Sequence, residues 1–262
     1  MHAPIDWARP WLAGVLAAAQ RVTGAADWRQ ALNACAAADG LRNYAGLALS
    51  FVPQAALPAD TAYEAFISAT GCVPTRANLH DFFNALVWLS FPRIKRQLNA
   101  LQAAQIAQSG VGKARGPARD AATIFDENAA LLVVRNAPPG RSLVDALRNH
   151  QWQDAFIGQR ADYGSAVEVW LFGHALMEKL VSPYRAITAH SRVVMVDGAY
   201  FALCPAARRA WVDRQVAQEL TDQGLTTADF TPLPVLGVPG WWPGQDAAFY
   251  ADAGVFRPKK QR

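Results

Sequence analysis

Two apolar stretches of this sequence, residues 79–91 and 166–181, carry polar side chains that could perform chemistry. The groups are His80, Asp81 and Asn84 in the first stretch and His174, Glu178 and Lys179 in the second. An unpaired polar group buried in a protein costs roughly 1–3 kcal/mol. Each of these groups is therefore expected to find a partner or to serve a site.

The spacing of these residues predicts two helical faces that could act together. His80 and Asn84 are four residues apart, as are His174 and Glu178, and residues four apart share one face of a helix. Two helices that each present an imidazole and an oxygen-bearing group can assemble an acid–base pair or a metal site. We predict that the two helices pack together with both imidazoles on the same side.

The candidate site contains these residues and further residues that could bind a metal ion or a substrate. The predicted catalytic residues are His80, Asp81, His174 and Glu178. One divalent metal ion is the candidate cofactor, and its predicted ligands are His80, Asp81, Asp126, Glu127, His174 and Glu178. The predicted substrate-binding residues are Arg76, Asn84 and Lys95. The two cations of this last set would receive an anionic group such as a phosphate.

Structural alternatives to these roles stay open at the level of sequence. Asn78 and Asp81 have the spacing of a capping box, which would give Asp81 a structural role. His174 and Glu178 could satisfy one another, and Lys95 could lie on an ordinary solvated face. The alternative to an enzyme is therefore a non-catalytic structural or partner-binding protein with a buried polar network.

Composition and charge exclude several classes of protein. A hydrophobic content of 52% with 18% charged residues is typical of a globular chain. The formal net charge is +4, but four cations lie in residues 257–262, so nucleic-acid binding is only weakly supported.

Three cysteines without a CxxC pair argue against a disulfide framework and favour the reducing cytoplasm. No stretch reaches the roughly 18 apolar residues of a membrane span, and residues 11–19 are interpreted as a folded helix, not a signal peptide.

Apolar periodicity and turn residues predict a helix-rich α+β fold in a single globular domain, residues 1–262. Runs of β-prone residues predict two hairpins, one at 121–134 around Asp126-Glu127-Asn128 and one at 186–203 with Asp197-Gly198 at the turn, which would form a small antiparallel sheet. A flexible loop is expected near 109–118, and the proline- and tryptophan-rich segment 231–262 is expected to be irregular.

Helices are predicted where caps and breakers agree. Asp27 begins a helix that ends near Ala38, and Pro92 separates the helix at 79–91 from the next one. Residues 205–223 form an amphipathic pattern that ends at Gly224.

Four sequence blocks resemble the bacterial family of unknown function called DUF3025. They read PTRANLHDFFNALVWLSFPRIKRQLNALQAAQI, RDAATIFDEN, FGHALMEKLVSPYRAITAHS and LPVLGVPGWW. The resemblance covers nearly the whole chain and implies one complete bacterial protein. It implies no activity, cofactor or catalytic residue.

The functional hypothesis therefore rests on the residues themselves. It is a hydrolase that acts on an anionic or phosphate-containing substrate, with one divalent metal ion as a candidate cofactor. The chain contains neither the HExxH motif of metalloproteases nor the GxSxG elbow of serine hydrolases. The sequence consequently predicts a site and a class of chemistry, without a named reaction.

Overall fold

A four-stranded mixed sheet carries the apolar core of the protein. The computed structural model describes residues 4–109 and 117–259. The strands are β1 (Ser50–Pro53), β2 (Cys72–Thr75), β3 (Ala129–Arg135), β4 (Val167–Leu171), β5 (Thr188–Val196) and β6 (Phe230–Pro234). The larger sheet has the order β4-β3-β5-β6, and β1 with β2 forms a separate parallel pair. Strand β3 is antiparallel to β4 and parallel to β5, and its residues 129–134 are all buried.

The helices surround this sheet, and local sequence signals fix several of their ends. Their bounds are α1 (Ala13–Val22), α2 (Trp28–Ala38), α3 (Tyr63–Thr70), α4 (Leu79–Ser90), α5 (Pro92–Ser109), α6 (Pro117–Asn128), α7 (Pro138–Arg148), α8 (His174–Lys179), α9 (Pro205–Gln223) and α10 (Ala247–Tyr250). The Asp27 carboxylate accepts hydrogen bonds from two amides of the first turn of α2. Proline at the start and glycine after the end bound α9 as predicted.

The break between α4 and α5 positions part of the candidate site. Phe91 leaves the helical conformation and Pro92 begins α5, because proline disfavours the α-helical region for the residue before it. The chain turns at this point, so the first turn of α5 comes back beside α4. Lys95 of α5 thereby reaches Asn84 of α4.

The prediction of a mixed helix-and-sheet fold is confirmed, but the antiparallel sheet built from two hairpins is wrong. Residues 117–128 form helix α6 where the first hairpin strand was expected. Pro117 suits a first helical position, and Ala121, Ala122 and Phe125 bury one helical face, so packing overrides the β-preference of the Thr-Ile-Phe run.

The second predicted hairpin, at 186–203, is also wrong. Strand β5 pairs with β3 and β6, which are distant in sequence, and not with the residues that follow it. Asp197 caps a 3-10 turn at Gly198–Ala202 by accepting from the amides of Ala199 and Tyr200. The Asp-Gly pair thus ends the strand without returning the chain as a neighbouring strand.

The predicted helix at 166–181 is half wrong, since its first part is strand β4 and only His174–Lys179 is helical. The predicted loop near 109–118 falls mainly on residues 110–116, which lie outside the described residues. The segment 231–262 is more ordered than expected, because it contributes most of β6 and all of α10. Among the helices of the described ranges, none is both long and apolar enough to cross a membrane.

Candidate functional site

Helices α4 and α8 pack against each other and bring two imidazoles together. His80 Nε2 lies 3.0 Å from His174 Nε2, and the ring centroids are 4.5 Å apart. The predicted proximity of these two side chains is confirmed, although α8 is shorter than the predicted helix.

Gly173 explains how His174 comes so close to the end of α6. A Cβ atom at Gly173 would lie 2.5 Å from the amide nitrogen of Ala129 and 2.5 Å from the carbonyl oxygen of Glu127. Only glycine allows this approach of two backbones. The contact places the first residue of α8 next to Asp126, the buried carboxylate near the end of α6.

His80 forms the solvent-facing part of the site together with Glu178. His80 Nδ1 lies 3.0 Å from Glu178 Oε2, and the two side chains are 33% and 39% exposed. A carboxylate on one ring nitrogen fixes the orientation of an imidazole and favours a base at the other nitrogen. The pair therefore has the arrangement of an acid–base group oriented by a carboxylate.

His174 is the buried partner, with 4% of its surface exposed. The pKa of His174 is lowered to about 4, chiefly by burial and in smaller part by the charges of Lys95 and His80, against the opposing effect of Asp126. His174 Nδ1 lies 3.7 Å from Asp126 Oδ2, too far for a hydrogen bond to that atom, and a contact with the Asp126 backbone opposes the effect of burial on the pKa of His174. The imidazole of His174 is therefore neutral at physiological pH.

Two proton arrangements satisfy the contact between the histidines. In the first, both rings are neutral: His174 Nε2–H donates to His80 Nε2, and His80 Nδ1–H donates to Glu178. In the second, His80 is an imidazolium that donates to both Glu178 and His174 Nε2. The second arrangement holds one more proton than the first, on His80, and has His174 in the other tautomer, with its proton on Nδ1.

Behind the histidines, Lys95 and Asp126 form a buried ion pair. Lys95 Nζ donates to Asp126 Oδ1 at 2.6 Å and to Asn84 Oδ1 at 2.8 Å, and Asn84 Nδ2 donates to the hydroxyl of Tyr63 at 3.1 Å. Burial by itself would raise the pKa of Asp126, but the Lys95 ammonium and His174 hold it below its usual value. Lys95 is 4% exposed, so the solvated-face alternative for this residue is wrong.

Arg76 holds the Asp81 side chain through an ion pair and a backbone hydrogen bond. Its carboxylate accepts from the backbone amide of Arg76 at 2.6 Å and from the guanidinium at 3.0 and 3.1 Å. Asn78 caps α4 by accepting from the Asp81 amide, but the Asp81 side chain does not complete the capping box. Asp81 therefore orients Arg76 at the start of α4.

Two adjoining cavities open beside these groups. The larger, of about 300 Å³, is lined among others by Arg76, His80 and His174, and the smaller, of about 210 Å³, by Arg119 and Thr123. The residues that line both are Tyr63, Glu64, Asp126 and Glu127. All nine predicted site residues thus lie at the larger cavity or in direct contact with a residue that lines it.

A family model described as a protein of unknown function, DUF3025, matches residues 49–260. The chain belongs to the DUF3025 family. No curated protein and no solved structure matches the chain. The DUF3025 match includes every candidate site residue, from Arg76 to Glu178, and both α4 and α8.

The predicted metal centre does not fit the geometry of this DUF3025 site. In the part of the chain that the structure describes, no group of three or more His, Cys, Asp or Glu residues could hold a metal ion. Asp81 is engaged by Arg76 and Asp126 by Lys95, so two predicted ligands already bind cations of the protein. The Nε2 atoms of His80 and His174 meet each other directly at 3.0 Å.

Sequence reasoning missed Tyr63 and Glu64, which helix α3 brings to both DUF3025 cavities. Burial raises the pKa of the Tyr63 hydroxyl well above its usual value, and the nearby carboxylates raise it further. Burial likewise raises the pKa of Glu64, against the effect of Lys95. These residues lie in the first turn of a short helix, and no local signal there distinguishes a site from a surface.

Proposed function

We propose that this DUF3025 protein is a hydrolase that uses general acid–base catalysis, with His80 as the group that transfers the proton. One observation carries the proposal: His80, which is paired with the partly exposed Glu178, lines an open cavity and meets a buried, neutral imidazole 3.0 Å away. A polar network that served only stability would be expected to satisfy its groups inside the core. Here the chain of contacts instead runs from a buried ion pair to solvent.

The proposed step begins when the partly exposed His80 ring moves away from His174 and a water molecule replaces their direct 3.0 Å contact, since no water fits between two atoms at that distance. His174 Nε2–H donates to the water oxygen, and the water donates one hydrogen to His80 Nε2. His80 takes this proton as the water oxygen attacks the substrate, and Glu178 stabilises the imidazolium that forms. His80 then returns the proton to the leaving group, which restores both rings to their neutral form.

The remaining residues support this step without touching the transferred proton. Asp126 and Lys95 form a fixed ion pair behind His174, and Asn84 joins that pair to the Tyr63 hydroxyl. Asp81 orients Arg76 at the edge of the cavity. Metal dependence and an anionic substrate receive less support, because Lys95 is buried and both predicted substrate cations are already paired. Free cysteines support a cytoplasmic location for the enzyme.

A chromogenic screen tests the proposal. Purified protein is assayed with p-nitrophenyl acetate, p-nitrophenyl phosphate and lysine p-nitroanilide, with and without added Zn²⁺ or Mg²⁺. We expect hydrolysis of one substrate class without added metal, and a loss of about 100-fold or more in His80→Asn.

His190→Asn is the matched control, since His190 contacts Asn128 and lines neither cavity. Its rate should stay close to that of the wild type. Absence of hydrolysis throughout the panel, or equal rates in His80→Asn and the wild type, would favour the non-catalytic network instead.

A further inference from the structure

The smaller cavity is a groove between α3, α5 and α6, and it contains a cation that the proposed reaction does not use. Its volume is about 210 Å³. Arg119 and Thr123 line it from α6, where they lie one turn apart on the same helical face. Within the described ranges, the Arg119 guanidinium forms no hydrogen bond and no ion pair. Arg76 and Lys95 are both paired with carboxylates, so Arg119 is the cation of these cavities that can receive an anion.

Gln102 of α5 is a second and independent sign of a ligand in this groove. The residue is 7% exposed and lines the smaller cavity. Its side-chain amide forms no hydrogen bond with the described residues, yet neither Oε1 nor Nε2 is fully enclosed by protein atoms. Both atoms therefore open toward the cavity. A buried amide without partners is unfavourable, and a ligand atom that accepts from Nε2 would remove this penalty.

The carboxylates around the groove do not close it to an anion. Asp126 is neutralised by Lys95 at 2.6 Å. Glu127 is exposed and follows Arg119 by two helical turns, about 12 Å along the axis, so solvent and salt screen its charge. Glu64 is the carboxylate that senses the charge of Arg119. Burial raises the pKa of Glu64 against the effects of Lys95 and Arg119, so Glu64 takes up a proton more readily than an exposed glutamate.

We infer that the smaller cavity binds a carboxylate group of the substrate, which the Arg119 guanidinium and the Gln102 Nε2–H group hold. A guanidinium presents paired donors that match the two oxygens of a carboxylate, and the amide adds a further donor. A monoanion suits the groove better than a phosphate dianion, because one unpaired cation is available and Glu64 lies next to it. Ile106 lines the same groove and would contact an aliphatic part of the ligand.

This inference deepens the proposed function, on which the place of the carboxylate in a reaction rests. The two cavities adjoin, and the residues that line both are Tyr63, Glu64, Asp126 and Glu127. A substrate whose carboxylate lies at Arg119 can therefore extend toward His80 in the larger cavity. The substrate class is thus a hydrolysable compound with a carboxylate several bonds away from the bond that is cleaved.

Binding of three probes tests the inference without any assay of hydrolysis. Butyrate, its neutral isostere butyramide and inorganic phosphate are titrated at neutral pH into the complete 262-residue chain. Calorimetry measures the affinities, and the ¹⁵N signal of the Gln102 side-chain amide reports the location. We expect butyrate to bind with a dissociation constant at least about tenfold lower than those of butyramide and phosphate, and to shift the Gln102 signal.

Two substitutions in the groove distinguish an anionic ligand from a cationic one. Arg119→Gln should weaken butyrate binding about tenfold or more, because it removes the cation. Glu64→Gln should leave the binding equal or tighter, because it removes a competing charge and keeps an oxygen for the amide of Asn99. Arg148→Gln is the control, since Arg148 is an exposed residue of α7, a helix that lines neither cavity. The melting temperature of each variant reports whether it is folded.

Several results would overturn the inference. They are binding of butyramide or phosphate as tight as that of butyrate, an unchanged affinity in Arg119→Gln, weaker binding in Glu64→Gln, or no binding at about 50 mM butyrate. Butyrate binding that requires Arg119, together with a failed hydrolysis screen, would uphold the carboxylate site and reject the proposed reaction. Hydrolysis that requires His80 without any binding of butyrate would reject the carboxylate site and uphold the reaction.

Discussion

Two buried carboxylates lie at the start of α5, and they show opposite electrostatic behaviour. Asp213 of α9 accepts from the backbone amides of Arg93 and Ile94 at 2.9 to 3.1 Å and so caps the first turn of α5. Asp126 of α6 instead meets the Lys95 ammonium at 2.6 Å. Burial raises the pKa of Asp213 to about 6 even though the amides oppose it, whereas Lys95 and His174 hold the pKa of Asp126 low against burial.

The comparison teaches that burial alone does not identify a functional carboxylate. At Asp213 the amides offset less of the effect of burial than the Lys95 ammonium and His174 do at Asp126, so the pKa of Asp213 is raised and the pKa of Asp126 is lowered. Asp213 closes a helix end and lies at no histidine. Asp126 lies between a fixed cation and the neutral ring of His174, which is the environment expected of a residue that orients a proton-transfer site.

The largest effect on stability is expected when Lys95, the cation that pairs with Asp126, is replaced. Lys95→Met leaves a charged carboxylate buried without its partner, and we expect a loss of about 3–5 kcal/mol in the free energy of unfolding. Urea unfolding at neutral pH measures this loss. The double variant with Asp126→Asn should recover part of it, and Lys179→Met, at an exposed lysine, should change little. A Lys95 variant as stable as the wild type would show that the pair is solvated.

Because His174 is buried and neutral beside Asp126, we predict that the free energy of unfolding falls in acid. The folded-state pKa of His174 is about 4, below the unfolded value of about 6.5, so the unfolded state binds more protons as the pH falls. Stability from this group is complete above pH 6.5 and is lost toward pH 4, by about 3 kcal/mol. The difference in unfolding free energy between the wild type and His174→Gln should shrink accordingly on acidification. His150→Asn is the control for the replacement of a histidine, because asparagine tolerates the φ of 57° at this position.

Asp213 predicts the reverse dependence on pH. Its folded-state pKa of about 6 exceeds the unfolded value of about 3.9, so its contribution is present at low pH and is lost as the pH rises through 6. Relative to Asp213→Asn, the wild type should therefore lose about 2 kcal/mol of unfolding free energy between pH 4 and pH 7. The amide of asparagine meets the helix amides poorly, but that penalty is independent of pH. A constant difference between the two proteins at both pH values would contradict the assigned shift.

The contrast between Asp126 and Asp213 could not be predicted from sequence, because both partners are distant along the chain. Lys95 and Asp126 are 31 residues apart, and Asp213 is 119 residues from Ile94. The helix ends were predictable where proline, glycine or a capping side chain acts locally, as in α9. The polar groups of α4 and α8 were recognisable because apolar neighbours surround them.

The errors in the predicted fold have the same physical origin. Residues 121–128 prefer strands locally, but their small and aromatic side chains bury one face of α6 against the core. Residues 167–171 continue an apolar run without a break, and only pairing with β3 makes them a strand. Tyr63 and Glu64 reach the site through the packing of α3 on α5, which no short pattern encodes.

A third carboxylate extends the comparison to the edge of the solvent, where the smallest effect on stability is expected. Glu178 pairs with His80, and the side chains of Glu178 and His80 are 39% and 33% exposed. Exposed ion pairs contribute about 0–1 kcal/mol, so Glu178→Gln should change the unfolding free energy by less than about 1 kcal/mol. A structural role as partner of a buried cation would instead cost about 3–5 kcal/mol.

Activity and stability should therefore separate in this variant. Glutamine keeps the shape of glutamate but cannot stabilise the His80 imidazolium, so the hydrolysis rate should fall by about tenfold or more while the melting temperature stays nearly constant. Rates measured across the pH range in both proteins, beside their urea unfolding curves, provide the check. A large loss of stability in Glu178→Gln would contradict this prediction. Glu178 would then be a structural partner of a buried cation, as Asp126 is of Lys95, and the proposed role of His80 as a base would lose its supporting carboxylate.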